Sequence, residues 1–105
     1  MTTLINLHHE NCDVRIDRTT RFGNPFDHNK LGITREECVL RYKKWFLNKV
    51  GEKTFFDKVV ELKNRRLGCW CVPLLCHGHV ILEYLEGTPL PLQPKDTTLE
   101  YIGLV

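Results

Sequence analysis

No stretch of the chain approaches 18 consecutive apolar residues, so no segment reads as a membrane-spanning helix. The first residues, MTTLINLHHENCD, carry no basic stretch followed by an apolar core and do not read as a signal peptide. Internal repeats, low-complexity tracts and inter-domain linkers are also missing, which speaks against a repeat architecture, and the composition speaks against global disorder. The formal net charge is only +2, too small to argue for nucleic acid without a clear basic stripe. The expectation is a chain that stays in a reducing, cytoplasmic compartment. There the five cysteines are thiols, metal ligands or reactive groups rather than disulfides, and their odd number agrees with this.

What is present fits one globular domain over 1–105. The hydrophobic share of 42% and charged share of 27% are ordinary for such a domain. A chain of this size buries roughly 60–70% of its unfolded surface without needing a staple.

Leu4–Leu7 is a short apolar run. Cys12-Asp-Val-Arg-Ile-Asp17 alternates, with Cys12, Val14 and Ile16 on one face, as in a half-buried strand. A loop follows from Arg18 to Lys30 and contains Phe22-Gly-Asn-Pro-Phe26. Thr34 and Glu37 form a capping box that opens a helix to about Val50, with Val39, Tyr42, Phe46 and Val50 on one face and Trp45 beside them. Thr54 and Asp57 open a shorter second helix. Leu67-Gly-Cys-Trp-Cys-Val72 reads as a central strand ended by Pro73. A third helix starts at Cys76 or His77, carries Val80, Ile81, Tyr84 and Leu85, and stops at Gly87. Thr88–Pro94 is an extended connection to a last strand over Leu99–Val105.

This order predicts an α/β fold: a mixed or mainly parallel sheet with about three helices, Rossmann-like in its β-loop-α unit at 67–85. Ligands in such sheets sit at the carboxyl ends of the strands, which places the Cys71–His79 segment where a site is expected.

Several strings together resemble a domain-of-unknown-function family common in bacteriophages and their bacterial hosts. They are Asp13-Val-Arg-Ile-Asp-Arg18, Phe22-Gly-Asn-Pro-Phe26, Thr34-Arg-Glu-Glu with Tyr42, and Leu67-Gly-Cys-Trp-Cys-x-Pro-x-x-Cys-His-Gly78. The resemblance covers about residues 12–86. It implies a bacterial cell, or one infected by a phage, as the setting, and implies no mechanism. Where the family usually has Asp after Cys-His-Gly, this chain has His79.

The Cys/His segment supports three readings. In the first, Cys69, Cys71, Cys76 and His77 complete a tetrahedral zinc shell, although C-x-C-x₄-C-H is not a usual zinc spacing. In the second, Cys76 at a helix N-terminus is a thiolate nucleophile and His77 its base. Arg18, Arg21, Gly23 and Asn24, joined by His79, then bind a nucleotide-sized anionic ligand. In the third, the cysteines only pack, as Cys12 and Cys38 are expected to do.

Arg35, Arg41, Lys43, Lys44 and Lys49 read mainly as a solvated helix face rather than a phosphate-binding stripe. Trp45 and Trp70 could stack on a base if exposed, but both are expected in the core. The working expectation is binding, and in the enzymatic case processing, of a nucleotide or related phosphorylated small molecule. The alternative is a phage or host interaction protein whose Cys/His cluster is structural, with or without zinc. Nucleic acid is the weaker partner, and a membrane is not expected.

Overall fold

The computed structural model describes residues 1–92 and has the order β-β-α-α-α-β-α. The strands are β1 (Thr3–Asn6), β2 (Val14–Arg15) and β3 (Arg66–Cys69). They form one parallel sheet in the order β1-β3-β2, with Leu4 and Val14 both opposite Leu67. Here β3 runs through the middle and is buried along Leu67–Cys69, as a strand bonded on both edges and covered on its faces must be. The carboxyl ends of all three strands therefore point the same way.

The alternation at 12–17 does mark a strand, but only Val14 and Arg15 pair as strand residues. The Ile16 amide extends the ladder to the Gly68 carbonyl (3.0 Å) before the chain turns. The central strand also ends earlier than expected, at Cys69 instead of Val72, and the chain beyond it turns out of the sheet.

Among the described residues there are four helices where about three were expected. The additional helix, α1 (His28–Leu31), interrupts what reads as loop. Asp27 caps it by accepting from the Asn29 and Lys30 amides, and Gly32 closes it at φ 66°, a left-handed conformation that glycine adopts without strain. Helix α2 (Arg35–Lys49) starts where the capping box places it: the Glu37 amide donates to Thr34 Oγ1 at 3.1 Å. Helix α3 (Lys53–Val60) begins one residue before Thr54. Glu52 stands at its cap with no side-chain bond, so the Thr54–Asp57 pair is not its capping box. Helix α4 (Gly78–Glu86) ends at Gly87 as expected.

Tyr42, Phe46, Val59, Leu67, Val80 and Ile81 form the centre of the core, where helical faces and the central strand meet. Tyr42 brings its hydroxyl into this apolar region and satisfies it by donating to the Phe22 carbonyl at 2.7 Å. That bond ties the loop after β2 to α2. Glu86 at the end of α4 accepts from the amide and hydroxyl of Thr2 (3.0 and 2.7 Å), which fixes the start of β1. No helix among the described residues is long and apolar enough to cross a membrane. The strand expected over Leu99–Val105 lies outside the described residues.

Candidate functional site

At the carboxyl ends of β2 and β3 the chain leaves the sheet at Asp17-Arg18 and at Trp70-Cys71. The two exits border one cavity of about 430 Å³, which α1, the start of α2 and the approach to α4 complete. The loop after β2 and the Cys/His segment therefore meet.

Asp17 is the node on the β2 side. Its carboxylate accepts from the Thr19 amide (3.1 Å) and hydroxyl, from the Arg15 guanidinium and from Trp70 Nε1 at 3.0 Å. Burial raises its pKa, but these donors outweigh burial and hold the carboxyl well below the usual range. Arg18 donates to the Asn24 carbonyl, which folds the loop back on itself. The buried Asn24 caps its own turn by accepting from the Phe26 amide (2.9 Å) and donates to Cys38 Sγ (3.4 Å). Cys38 is thus buried packing, as expected, and doubles as a weak acceptor.

Trp70 departs from expectation. Because β3 stops at Cys69, the indole is 45% exposed at the cavity edge instead of entering the core. Asp17 holds its Nε1–H. The Arg15 guanidinium lies over the ring, 5.6 Å from its centroid, and the His8 ring meets it edge-on at 4.7 Å. Trp45 is packed against the core as expected.

On the β3 side the thiols cluster. Cys69 and Cys76 are buried with their sulfurs 3.1 Å apart. Cys76 Sγ also accepts the Gly78 amide (3.2 Å) at the start of α4 and lies 3.9 Å from His77 Nδ1. Cys71 is half-buried on the cavity wall, where it interacts with the Cys76 thiol and the Arg35 guanidinium.

This arrangement reverses the expected roles of the two cysteines. Hydrogen bonds to Cys69 and Cys71, together with burial, push the Cys76 thiol far up and outweigh the Gly78 amide. The helix N-terminus therefore does not make Cys76 the thiolate. The Cys76 hydrogen bond and then Arg35 overcome burial at Cys71 and lower its thiol to about 5. The Cys76 thiol also lowers Cys69, to about 7, so Cys71 is the thiol most favoured as thiolate and the half-exposed one of the three.

His77 is buried, and its Nε2–H donates to the Ile16 carbonyl, which leaves Nδ1 toward Cys76 as an acceptor. Burial lowers its pKa against the opposing Ile16 bond, which favours the neutral ring. One of its nitrogens is thus occupied by backbone, and Cys69 and Cys76 are in direct contact. Among the described residues no group of three or more His, Cys, Asp or Glu side chains is arranged to hold a metal ion.

Three expected ligand residues do not line the cavity. Arg21 is exposed outside it. Gly23 serves the loop itself: a Cβ there would lie 2.6 Å from both Arg18 Cα and the Asp17 carbonyl. His79 Nδ1 lies 3.0 Å from the Cys76 amide, whose N–H can only donate, so the ring acts as a helix-start acceptor. Arg18, Asn24, Cys71, Cys76 and His77 do line it.

Sequence reasoning missed Arg15, Asp17 and Thr19 as cavity-lining residues, and it weighed Arg35 and Trp70 but assigned them to a solvated face and the core. The signal for the first two was their place at the end of the alternating strand, where a parallel sheet presents its loop.

Comparison with known proteins places residues 5–87 in the family described as domain of unknown function DUF4326, and the chain belongs to that family. One relative is an uncharacterized 12.4 kDa protein in the nrdA-td intergenic region of Enterobacteria phage T4. It is 33% identical over 79 residues, covering 74% of this chain and 71% of the relative. Another is the uncharacterized protein R718 of Acanthamoeba polyphaga mimivirus, 30% identical over 92 residues, covering 70% and 67%. No solved structure matches the chain.

Proposed function

We propose that the cavity binds a nucleotide or a related phosphorylated small molecule. The observation that carries this reading is the convergence of Arg18 and Arg35 with the exposed face of Trp70 on one concavity at the strand ends. Guanidinium groups suit phosphate because their planar fork matches its oxygens. Both are pre-positioned by backbone, Arg18 through the Asn24 carbonyl and Arg35 through the Leu75 carbonyl (3.3 Å). An indole held by Asp17 presents a surface on which any base can stack. A volume near 430 Å³ lies within the usual range for small-molecule sites.

If the ligand is also processed, Cys71 is the nucleophile, since it is the half-exposed thiol among those that line the cavity. Cys76 is its proton partner, and His77 Nδ1 stands behind Cys76.

The test is thermal unfolding with nucleoside mono-, di- and triphosphates, unphosphorylated nucleosides and inorganic phosphate. Nucleotides should raise Tm with concentration, nucleosides and phosphate less so. Arg18→Ala and Arg35→Ala should remove the shift while lowering the unliganded Tm only by the loss of one backbone-directed hydrogen bond each. No response to any of these compounds would reject the reading in favour of a protein partner.

A further inference from the structure

The thiol cluster has a property that does not depend on the nucleotide reading. Three cysteines line one cavity with Arg35: Cys71 is half-buried, and Cys69 and Cys76 are buried with their sulfurs 3.1 Å apart. A cavity-facing thiolate beside a cation meets oxidants first, because the thiolate is the nucleophile in sulfur oxidation. A second thiol on the same cavity wall, which also favours the Cys71 thiolate, is placed to attack the oxidised sulfur with little exposure of its own.

We propose that Cys71 and Cys76 form a two-electron redox pair that consumes a hydroperoxide. The Cys71 thiolate attacks the outer peroxide oxygen. The S–O bond forms, the O–O bond breaks, and the departing hydroxide (or alkoxide) takes a proton. Cys71 is then a sulfenic acid, oxidised by two electrons, and the peroxide is reduced. The Cys76 thiol attacks that sulfur, the S–S bond forms, and the sulfenic oxygen leaves as hydroxide with the Cys76 proton, as water. A dithiol reductant returns the pair to its starting state.

His77 Nδ1, 3.9 Å from Cys76 Sγ and free of its own proton, is oriented to take the Cys76 proton and pass it to the departing hydroxide in the second step. Cys69, in contact with Cys76 at 3.1 Å, keeps that sulfur packed beside the wall. Cys12 and Cys38 are outside the cluster. Cys38 Sγ is engaged by Asn24 and the Phe26 carbonyl.

The experiment treats the fully reduced chain with one equivalent of hydrogen peroxide at neutral pH and follows intact mass. No nucleotide is present, so the result is independent of ligand binding. The three sulfurs lie in one tryptic peptide between Arg66 and Lys95, so the partners are assigned with variants.

The expected product loses two hydrogens and recovers them with dithiothreitol. Cys71→Ser should slow oxidation at least tenfold. Cys76→Ser should stop at a sulfenic acid that dimedone traps on Cys71. Cys69→Ser should still close the bridge. Circular dichroism establishes that each variant is folded. If Cys76→Ser is not, wild type carries the test: fast alkylation of Cys71 that peroxide pre-treatment blocks and dithiothreitol restores supports the pair. Direct passage of wild-type Cys71 to sulfinic acid, a bridge that needs Cys69, or oxidation only as intermolecular dimers through Cys12 would each overturn the assignment.

Discussion

Trp70 Nε1 donates to Asp17 at 3.0 Å, and this one bond joins the exit of the central strand to the exit of its edge neighbour. Two residues 53 positions apart in the chain thereby set the rim of the cavity. The indole does two separable things there, holding the rim and offering a face, and two substitutions separate them. Trp70→Phe keeps an aromatic face but removes the donor. It should cost about 1 kcal/mol in chemical denaturation, the usual worth of one such bond, and should retain most nucleotide affinity. Trp70→Ala should lower that affinity about tenfold or more, from the ~1–3 kcal/mol that stacking on an aromatic supplies. Equal affinities for the two variants in titration calorimetry would remove Trp70 from the binding surface.

Asp17 makes the rim dependent on pH. Its folded pKa lies below its ordinary value, so its contribution is present in full above about pH 4 and is lost as pH falls through the folded value. Asp17→Asn keeps the size but not the charge, and leaves the Arg15, Trp70 and Thr19 donors facing a weaker acceptor. At pH 7 the variant should be less stable by about 2 kcal/mol, the range for hydrogen bonds to a charged group. Its loss of stability between about pH 5 and pH 2 should be shallower than that of wild type. Parallel acid limbs for the two proteins would show that Asp17 is not the group titrating.

How much of this is legible in the sequence follows from the physics of each feature. The start of α2 is legible because Thr34 and Glu37 make a local capping signal, and local signals survive folding. The stop at Gly87 is legible for the same reason. Helix α1 is not, because its four residues carry no apolar periodicity, and only Asp27 and Gly32 define it. The convergence of the two loops cannot be read from the sequence at all. It depends on β3 lying between β1 and β2, a long-range order that no short stretch encodes. Trp70 reads as core because an apolar run does not show where pairing ends. The choice between Cys71 and Cys76 depends on which sulfur is walled in, and burial of neighbouring polar groups is a tertiary property.

Gly23 shows how a residue picked out for ligand contact can instead build the contact loop. Its α-hydrogen faces the backbone of Asp17 and Arg18, where a methyl group would meet main-chain atoms at 2.6 Å. Main chain yields far less readily than a side-chain tip. Gly23→Ala should therefore destabilise the protein by about 2 kcal/mol, within the usual cost of overpacking. It should also displace Arg18 and weaken anion binding. Full stability with unchanged binding would mean that the 17–23 turn relaxes freely, which its short contacts argue against. Alanine at Arg21, exposed and outside the cavity, is the matched control and should change neither property.

The charge on the thiol cluster gives the most direct measurement of the site. Cys71 is held at about 5 first by the hydrogen bond from Cys76 and then by Arg35. An iodoacetamide rate profile of wild type should therefore show one fast thiol whose reactivity rises with a midpoint near pH 5 and is level by about pH 7. Cys71→Ser should abolish that phase. Arg35→Ala should move the midpoint upward, toward the ordinary thiol range near about 8.5, because a neighbouring positive charge no longer favours the thiolate. Cys76→Ala should move it further than Arg35→Ala, since the thiol donor is the larger influence, whereas Cys76→Ser should move it less because a hydroxyl still donates. The order of the three midpoints is the informative result. If Arg35→Ala shifts the profile more than Cys76→Ala, the guanidinium and not the buried thiol is what holds the charge on Cys71.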